Sequence, residues 1–243
     1  MSQAPLSPII IGDIPILPFE STTHVVESIF EPTGRVIPGV AIAINPEKII
    51  KSIESKNVKD TLLTATVPYA DGIGVVKAME KKSGKKLARI PGVQLWLAVI
   101  EKVVTSNNEV FLVGSKPHVI ENCVNKLSNQ TNVRIAGFQD GYYNDENLVI
   151  EKIKASGASV VFVALGSPKQ EMFIQKCQIN YPEAFYMGVG GSFDVYVGNV
   201  KRAPNFWINL NLEWFYRLIS EPKRFFRQYK LLKFLYLFVF NKL

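Results

Sequence analysis

Apolar residues in the first two hundred positions fall in short runs rich in Val, Ile and Ala, each followed by a polar turn and a stretch with helical spacing. Residues 35–43 (RVIPGVAIA) read as a strand, followed by Asn45-Pro46-Glu47 and a helical pattern through Ser55. A second unit over 59–67 leads into Tyr69-Ala70-Asp71-Gly72-Ile73-Gly74, after which residues 75–82 have helical spacing. The pattern recurs at 110–114 before Ser115-Lys116-Pro117, at 160–166 before Ser167-Pro168-Lys169-Gln170-Glu171, and at 184–191 before Ser192-Phe193-Asp194. Runs that are apolar at every position belong to strands covered on both faces, and alternation with helices indicates parallel strands joined by crossovers. The prediction is an α/β, Rossmann-like core over residues 1–200, a parallel sheet with flanking helices. The pattern changes at Lys201-Arg202-Ala203-Pro204, and residues 201–243 read as a helical appendage.

Within that appendage, at about 100° per residue, Phe225, Tyr229, Leu232 and Tyr236 share one arc, with Lys223, Arg227 and Lys230 on the opposite one. Such a basic amphipathic helix suits a membrane interface with anionic headgroups. The apolar run 234–240 is far short of the ~20 residues that span a bilayer, so it is expected to dip into a membrane without crossing it. The alternative is a helix that packs its aromatics on the core and leaves a solvated basic face.

Charge sharpens this contrast. Nine Lys and Arg against Glu213 and Glu221 lie in residues 201–243, an excess of seven that equals the net charge of the whole chain, +7. The first 200 residues are thus neutral, and twelve of the 27 aromatic residues also lie in the appendage. Its cations alternate with long aliphatic side chains in place of polar base readers, which disfavours nucleic acid. A hydrophobic fraction of 47% in 243 residues supplies a core and excludes disorder. Cys123 and Cys177 stand alone without CxxC or clustered His, so neither a disulfide framework nor a zinc site is expected. Residues 1–18 are apolar but carry several prolines and no Lys or Arg before the hydrophobic run, unlike a secretory signal. The expected location is the cytoplasm.

Ligands of parallel α/β sheets bind at the carboxyl ends of the strands, among loops and helix N-termini. Neither GxGxxG nor GxxxxGK[ST] occurs in the required context, which disfavours a dinucleotide oxidoreductase or a P-loop ATPase. Asp71, between a strand and a helix, is the best candidate for a general base; equally, it is placed to be a helix N-cap. Asn45 has the same two readings, and Arg89 is either a surface cation or a diphosphate clamp. Gln170 can hydrogen-bond a base or sugar, or belong to a capped helix start with Lys169 and Glu171 in water. The glycines of Gly188-Val189-Gly190-Gly191 suggest close backbone approach or a tight packing turn. His24 and His118 have no triad or metal context and are expected to be structural or surface residues.

Taken together, AINPEK (43–48), YADGIGVV (69–76), FLVGSKP (111–117), QDGYY (139–143), GSPKQE (166–171), YMGVGGSFDVYVGNVKRAP (186–204) and LEWFYRLISEPKR (212–224) resemble the WecG/TagA/CpsF family of glycosyltransferases. The resemblance implies a GT-E type Rossmann-like domain and an appendage that associates with the inner face of the bacterial cytoplasmic membrane and helps to close the active site. It is closest to the branch of enterobacterial common antigen synthesis, implying transfer of N-acetyl-D-mannosaminuronic acid from UDP to undecaprenyl-diphosphate-linked N-acetylglucosamine. The TagA branch transfers N-acetylmannosamine instead. By the same resemblance the catalytic aspartate falls on Asp71, pocket residues on Asn45, Arg89 and Gln170, and three cations that hold the acceptor diphosphate on Arg217, Arg224 and Arg227. Where the TagA branch has threonine, this chain has Ala43, so no hydroxyl acts there. The carboxylate of a uronic acid donor needs a cation or N–H partner, for which Arg89, Lys169 and Lys116 are the candidates. No DxD-like pair stands out, so arginines and helix N-termini are expected to stabilise the leaving UDP without a metal. A nucleotide-sugar-binding regulator without turnover and a nucleic-acid-binding module are the competing classes.

Overall fold

The computed structural model describes residues 6–200, 203–204, 206–207, 215–216 and 225–243, in the last range with side chains from 229. The chain begins with a hairpin, β1 (Ile9–Ile11) and β2 (Ile14–Ile16), followed by α1 (Thr22–Ile29). The core then alternates as β3 (Gly39–Ile44), α2 (Pro46–Glu54), α3 (Lys56–Leu62), β4 (Val67–Ala70), α4 (Ile73–Ser83), α5 (Gly92–Thr105), β5 (Glu109–Gly114) and α6 (Pro117–Thr131). It continues through β6 (Arg134–Gln139), α7 (Glu146–Ser156), β7 (Val160–Ala164), α8 (Lys169–Asn180), β8 (Phe185–Gly188) and α9 (Ser192–Val197), and the last helix described is α10 (Phe225–Val239).

Six strands form one parallel sheet in the order β4-β3-β8-β7-β5-β6. The pleat explains why their sequences are apolar throughout. Val160 and Phe162 of β7 enter one hydrophobic cluster with α1, α5, α6 and α9, whereas Val161 and Val163 enter the other with α2, α4, α7 and α8. Helix layers therefore cover both faces, as the Rossmann-like reading requires. Two strand groups escaped the sequence pattern. β6 lies at the sheet edge with every side chain at least partly exposed, so its RIAGFQ needs no apolar run. The hairpin β1–β2 is short, yet Ile11, Ile14 and Ile16 are fully buried and tie the N-terminal segment to the core.

Of the two arcs expected of the last helix, the side chains described from residue 229 show the aromatic one facing away from the core. α10 packs on α2 through Phe234, which is 4% exposed and wedged where a Cβ on Gly74 would come within 3.3 Å of its ring. Lys230 and Lys233 lie on the side facing α2 and meet the two oxygens of the exposed Glu54 at 3.3 and 2.7 Å. The hydrogen bond from Lys233 holds the Glu54 carboxyl below its ordinary range, against the opposing effect of burial. Tyr229, Leu232 and Tyr236 instead face outward, joined there by Leu235, Val239 and Phe240. Glu54, at the end of α2, supplies the partner that draws both ammonium groups to this side of the helix. The alternative from the pattern, a helix with these aromatics packed on the core and a solvated basic face, does not fit the residues described. The side chains of Phe225 and Arg227, together with Lys201, Arg202, Arg217, Lys223 and Arg224, lie outside the described residues. Among those described, no helix is long and apolar enough to cross a membrane.

Candidate active site

The carboxyl edge of the sheet collects most of the polar residues singled out above. Ala43 pairs with Tyr69 and Ile44 with Ala70, so Asn45 and Asp71 follow side by side from the ends of β3 and β4, and the Asp71 N–H donates to Ile44 O at 3.0 Å. Asn45 is the N-cap of α2, its Oδ1 accepting from Lys48 N at 3.0 Å. Asp71 does not cap the helix that follows it, because Gly72 occupies that place without a side-chain bond. Its Oδ1 accepts instead from Gly92 N (3.3 Å), at the first residue of α5, 21 positions further on. The stretch between α4 and α5 is laid against the β4 end by Ile90 N, which donates to Ala70 O at 2.9 Å, and this brings the half-buried Arg89 to the same edge.

Beneath them lies Tyr69, fully buried, its hydroxyl without a partner among the described residues and 3.3 Å from where a Cβ on Gly92 would sit. Burial, and then the negative charges of Asp71 and Glu171, push this phenol well above its ordinary range, so it stays protonated.

Gln170 and Glu171 occupy the first turn of α8, after the loop from β7, and both are buried. Gln170 Oε1 accepts from Gly190 N at 3.1 Å while its Nε2 donates to Glu171 Oε1 at 2.9 Å. The glycines after β8 thus permit a close approach, but the approaching group is this side chain. A Cβ on Gly188 would come 2.6 Å from Gln170 Nε2, and Gly190 has a φ of +55°. Glu171 Oε1 also meets Lys48 Nζ at 2.8 Å, with side-chain exposures of 2% and 6%. Burial alone would raise the Glu171 carboxyl; the Lys48 charge and the hydrogen bonds from Lys48 and Gln170 outweigh it and hold the group below its ordinary range.

On the other half of the edge, Ser115 follows β5, and its Oγ donates to Asp194 Oδ2 at 2.9 Å, joining the β5 loop to α9. The sequence pattern of the Glycosyl transferase WecG/TagA/CpsF family matches residues 11–243. The chain belongs to the WecG/TagA/CpsF glycosyltransferase family.

Membership makes this edge the place to look for sugar transfer. Of the residues assigned to the site, Asn45, Asp71 and Arg89 meet at the ends of β3 and β4, and Gln170 lies beyond β8, engaged on both sides of its amide. Arg217 and Arg224, and the side chain of Arg227, fall outside the described residues. Lys169 is exposed, with Nζ 5.4 Å from the Tyr143 ring centre, and Lys116 is exposed before α6. His118 is exposed in the first turn of α6, and His24 stacks edge-on against Phe19. Glu171, which one of the two readings of its motif placed in water, is buried, with Lys48 supplying its counter-charge from α2. Sequence reasoning passed over Lys48 and the Ser115–Asp194 contact. Their signal was available in AINPEK, FLVGSKP and GSFD, where a polar residue sits within a few positions of a strand end.

Proposed function

We propose that this chain transfers N-acetyl-D-mannosaminuronic acid from its UDP donor to undecaprenyl-diphosphate-linked N-acetylglucosamine, with inversion at the anomeric carbon. Supporting this is the carboxylate of Asp71 at the strand edge beside Asn45, held at Oδ1 by the Gly92 N–H, in a chain of the glycosyltransferase family. Asp71 takes the proton of the acceptor's 4-hydroxyl as that oxygen attacks the anomeric carbon, the bond to UDP breaks, and the diphosphate carries away the electron pair. Asn45 and Arg89 contact the donor, the turn after β8 positions UDP, and Arg217, Arg224 and Arg227 hold the acceptor's diphosphate. The mechanism routes no step through a metal.

The outward arc of α10 supports peripheral attachment to the membrane that carries this acceptor. Tyr229, Leu232, Leu235, Tyr236, Val239 and Phe240 are each more than half exposed along one helix. Ala43 carries a methyl where the TagA branch has a hydroxyl, which sets this chain apart from that branch.

The test is incubation with UDP-N-acetylmannosaminuronic acid or UDP-N-acetylmannosamine and a lipid-diphosphate-N-acetylglucosamine acceptor, with and without EDTA, followed by mass analysis. The acceptor gaining one N-acetylmannosaminuronic acid, at the same rate in EDTA, is the expected result. Gain of N-acetylmannosamine alone would reassign the donor, loss of activity in EDTA with recovery on Mn²⁺ would defeat the metal-free mechanism, and UDP binding without product would point to a regulator.

A further inference from the structure

Lys48 belongs to the first turn of α2, after β3, and Glu171 to the first turn of α8, after β7. Strand β8 lies between those two strands, so their ion pair passes over its carboxyl end. At either end the pair reaches a residue of the proposed site. The backbone N–H of Lys48 donates to Asn45 Oδ1, and Glu171 Oε1 accepts from Gln170, whose own oxygen accepts from Gly190 N. We propose that Lys48 and Glu171 are positioning residues that orient Gln170, set the turn at 188–191 through it, and space the starts of α2 and α8 across the donor's diphosphate site. The last element rests on the function proposed above; the hold on the turn does not.

Stability is a poor explanation for such a pair. Two charges that are almost wholly buried lose hydration that their attraction barely recovers, and apolar residues of similar volume usually serve a core as well or better. What apolar residues cannot do is fix an amide. An ionised carboxylate accepts hydrogen bonds and donates none, so Glu171 admits only the Nε2 side of Gln170 and leaves Oε1 to meet the Gly190 N–H. Lys48 keeps the carboxylate ionised in this buried position. Glycine at 188 is the third part of the device, since a Cβ there would stand 2.6 Å from Nε2 and push the amide away. The second oxygen of Glu171 has no partner among the described residues, so the group's orientation depends on the two bonds at Oε1.

The test compares the full chain with Lys48→Met/Glu171→Leu, which removes both charges at similar volume, and Lys48→Met/Glu171→Gln, which returns an acceptor for Gln170 without charge. Thermal melting reports folding, deuterium uptake over residues 185–195 reports the turn, calorimetry with UDP reports donor binding, and transfer kinetics separate kcat from KM. The Met/Leu variant is expected to melt near the parent while uptake in the turn rises about tenfold and kcat falls about tenfold or more, as displaced positioning groups imply. Weaker UDP binding accompanies this, and the Met/Gln variant recovers part of each loss, which a purely structural role would not produce. A folded Met/Leu variant with the uptake and UDP affinity of the parent overturns the proposal. Should that variant not fold, Gln170→Leu, which keeps both charges, decides the matter: faster exchange in the turn supports the proposal and unchanged exchange overturns it. Failure of the parent to bind UDP would refute the donor reading, with the exchange comparison still deciding whether the pair holds the turn.

Discussion

The attachment of α10 to the core rests on one aromatic ring and two lysines, and their contributions differ enough to be told apart. Phe234 is 4% exposed. Truncating Phe234→Ala therefore forfeits about 2–3 kcal/mol of burial, or about 30- to 140-fold in the equilibrium between docked and undocked helix. Glu54 is 36% exposed and its lysines 24% and 31%. Pairs so open to water are weak even when two share one carboxylate, so Glu54→Gln should loosen the helix less than Phe234→Ala does. Deuterium exchange over residues 229–243, referenced to the buried strand 160–164, measures both. The Glu54→Gln effect should shrink in about 1 M salt, where charges beyond about 3 Å are screened, and the Phe234→Ala effect should persist. A larger loosening from Glu54→Gln than from Phe234→Ala would mean that the helix is held by charge, and the reasoning from burial would be wrong.

Asp71→Asn should lower transfer by about 10²–10⁴-fold while UDP affinity and melting stay near the parent, because Asn can still accept from Gly92 N; wild-type turnover in that protein would leave Asp71 a role in anchoring α5 alone. Deleting the chain from Lys201 onward should give a folded core that no longer sediments with anionic liposomes, since the sheet is complete at Gly188 and the outward apolar arc lies on α10. Single Arg217→Ala, Arg224→Ala and Arg227→Ala variants should lose turnover far beyond the about 1 kcal/mol of membrane attraction that one surface cation supplies; equal small losses in both assays would remove them from the acceptor site. Because the Glu171 carboxyl lies below its ordinary range, its contribution to stability is complete above the unfolded glutamate value of about 4.3 and is lost as the pH falls through its lower folded value. Acid unfolding curves should accordingly flatten in Lys48→Met/Glu171→Leu, and an unchanged acid slope would contradict the assignment.

The parallel core was legible in the sequence because its strands are covered on both faces. Runs such as VVFVA must then be apolar at every position, and each ends where Gly or a polar residue opens a loop at the edge that binds ligands. Asn45, Asp71 and Gln170 were legible for the same reason, whereas Arg89 follows no strand and was assigned through the resemblance alone. Partnerships were not, because hydrogen bonds and ion pairs across a fold leave no periodic trace. Nothing local joins Asp71 to Gly92, Lys48 to Glu171 or Ser115 to Asp194, which lie 21, 123 and 79 positions apart. The edge strand β6 escaped because exposure removes the need for an apolar run. Helical periodicity placed the two arcs of α10 but carried no information about which would meet the core. Tertiary structure decided that, by offering Glu54 to two ammonium groups and the space beside Gly74 to one phenyl ring.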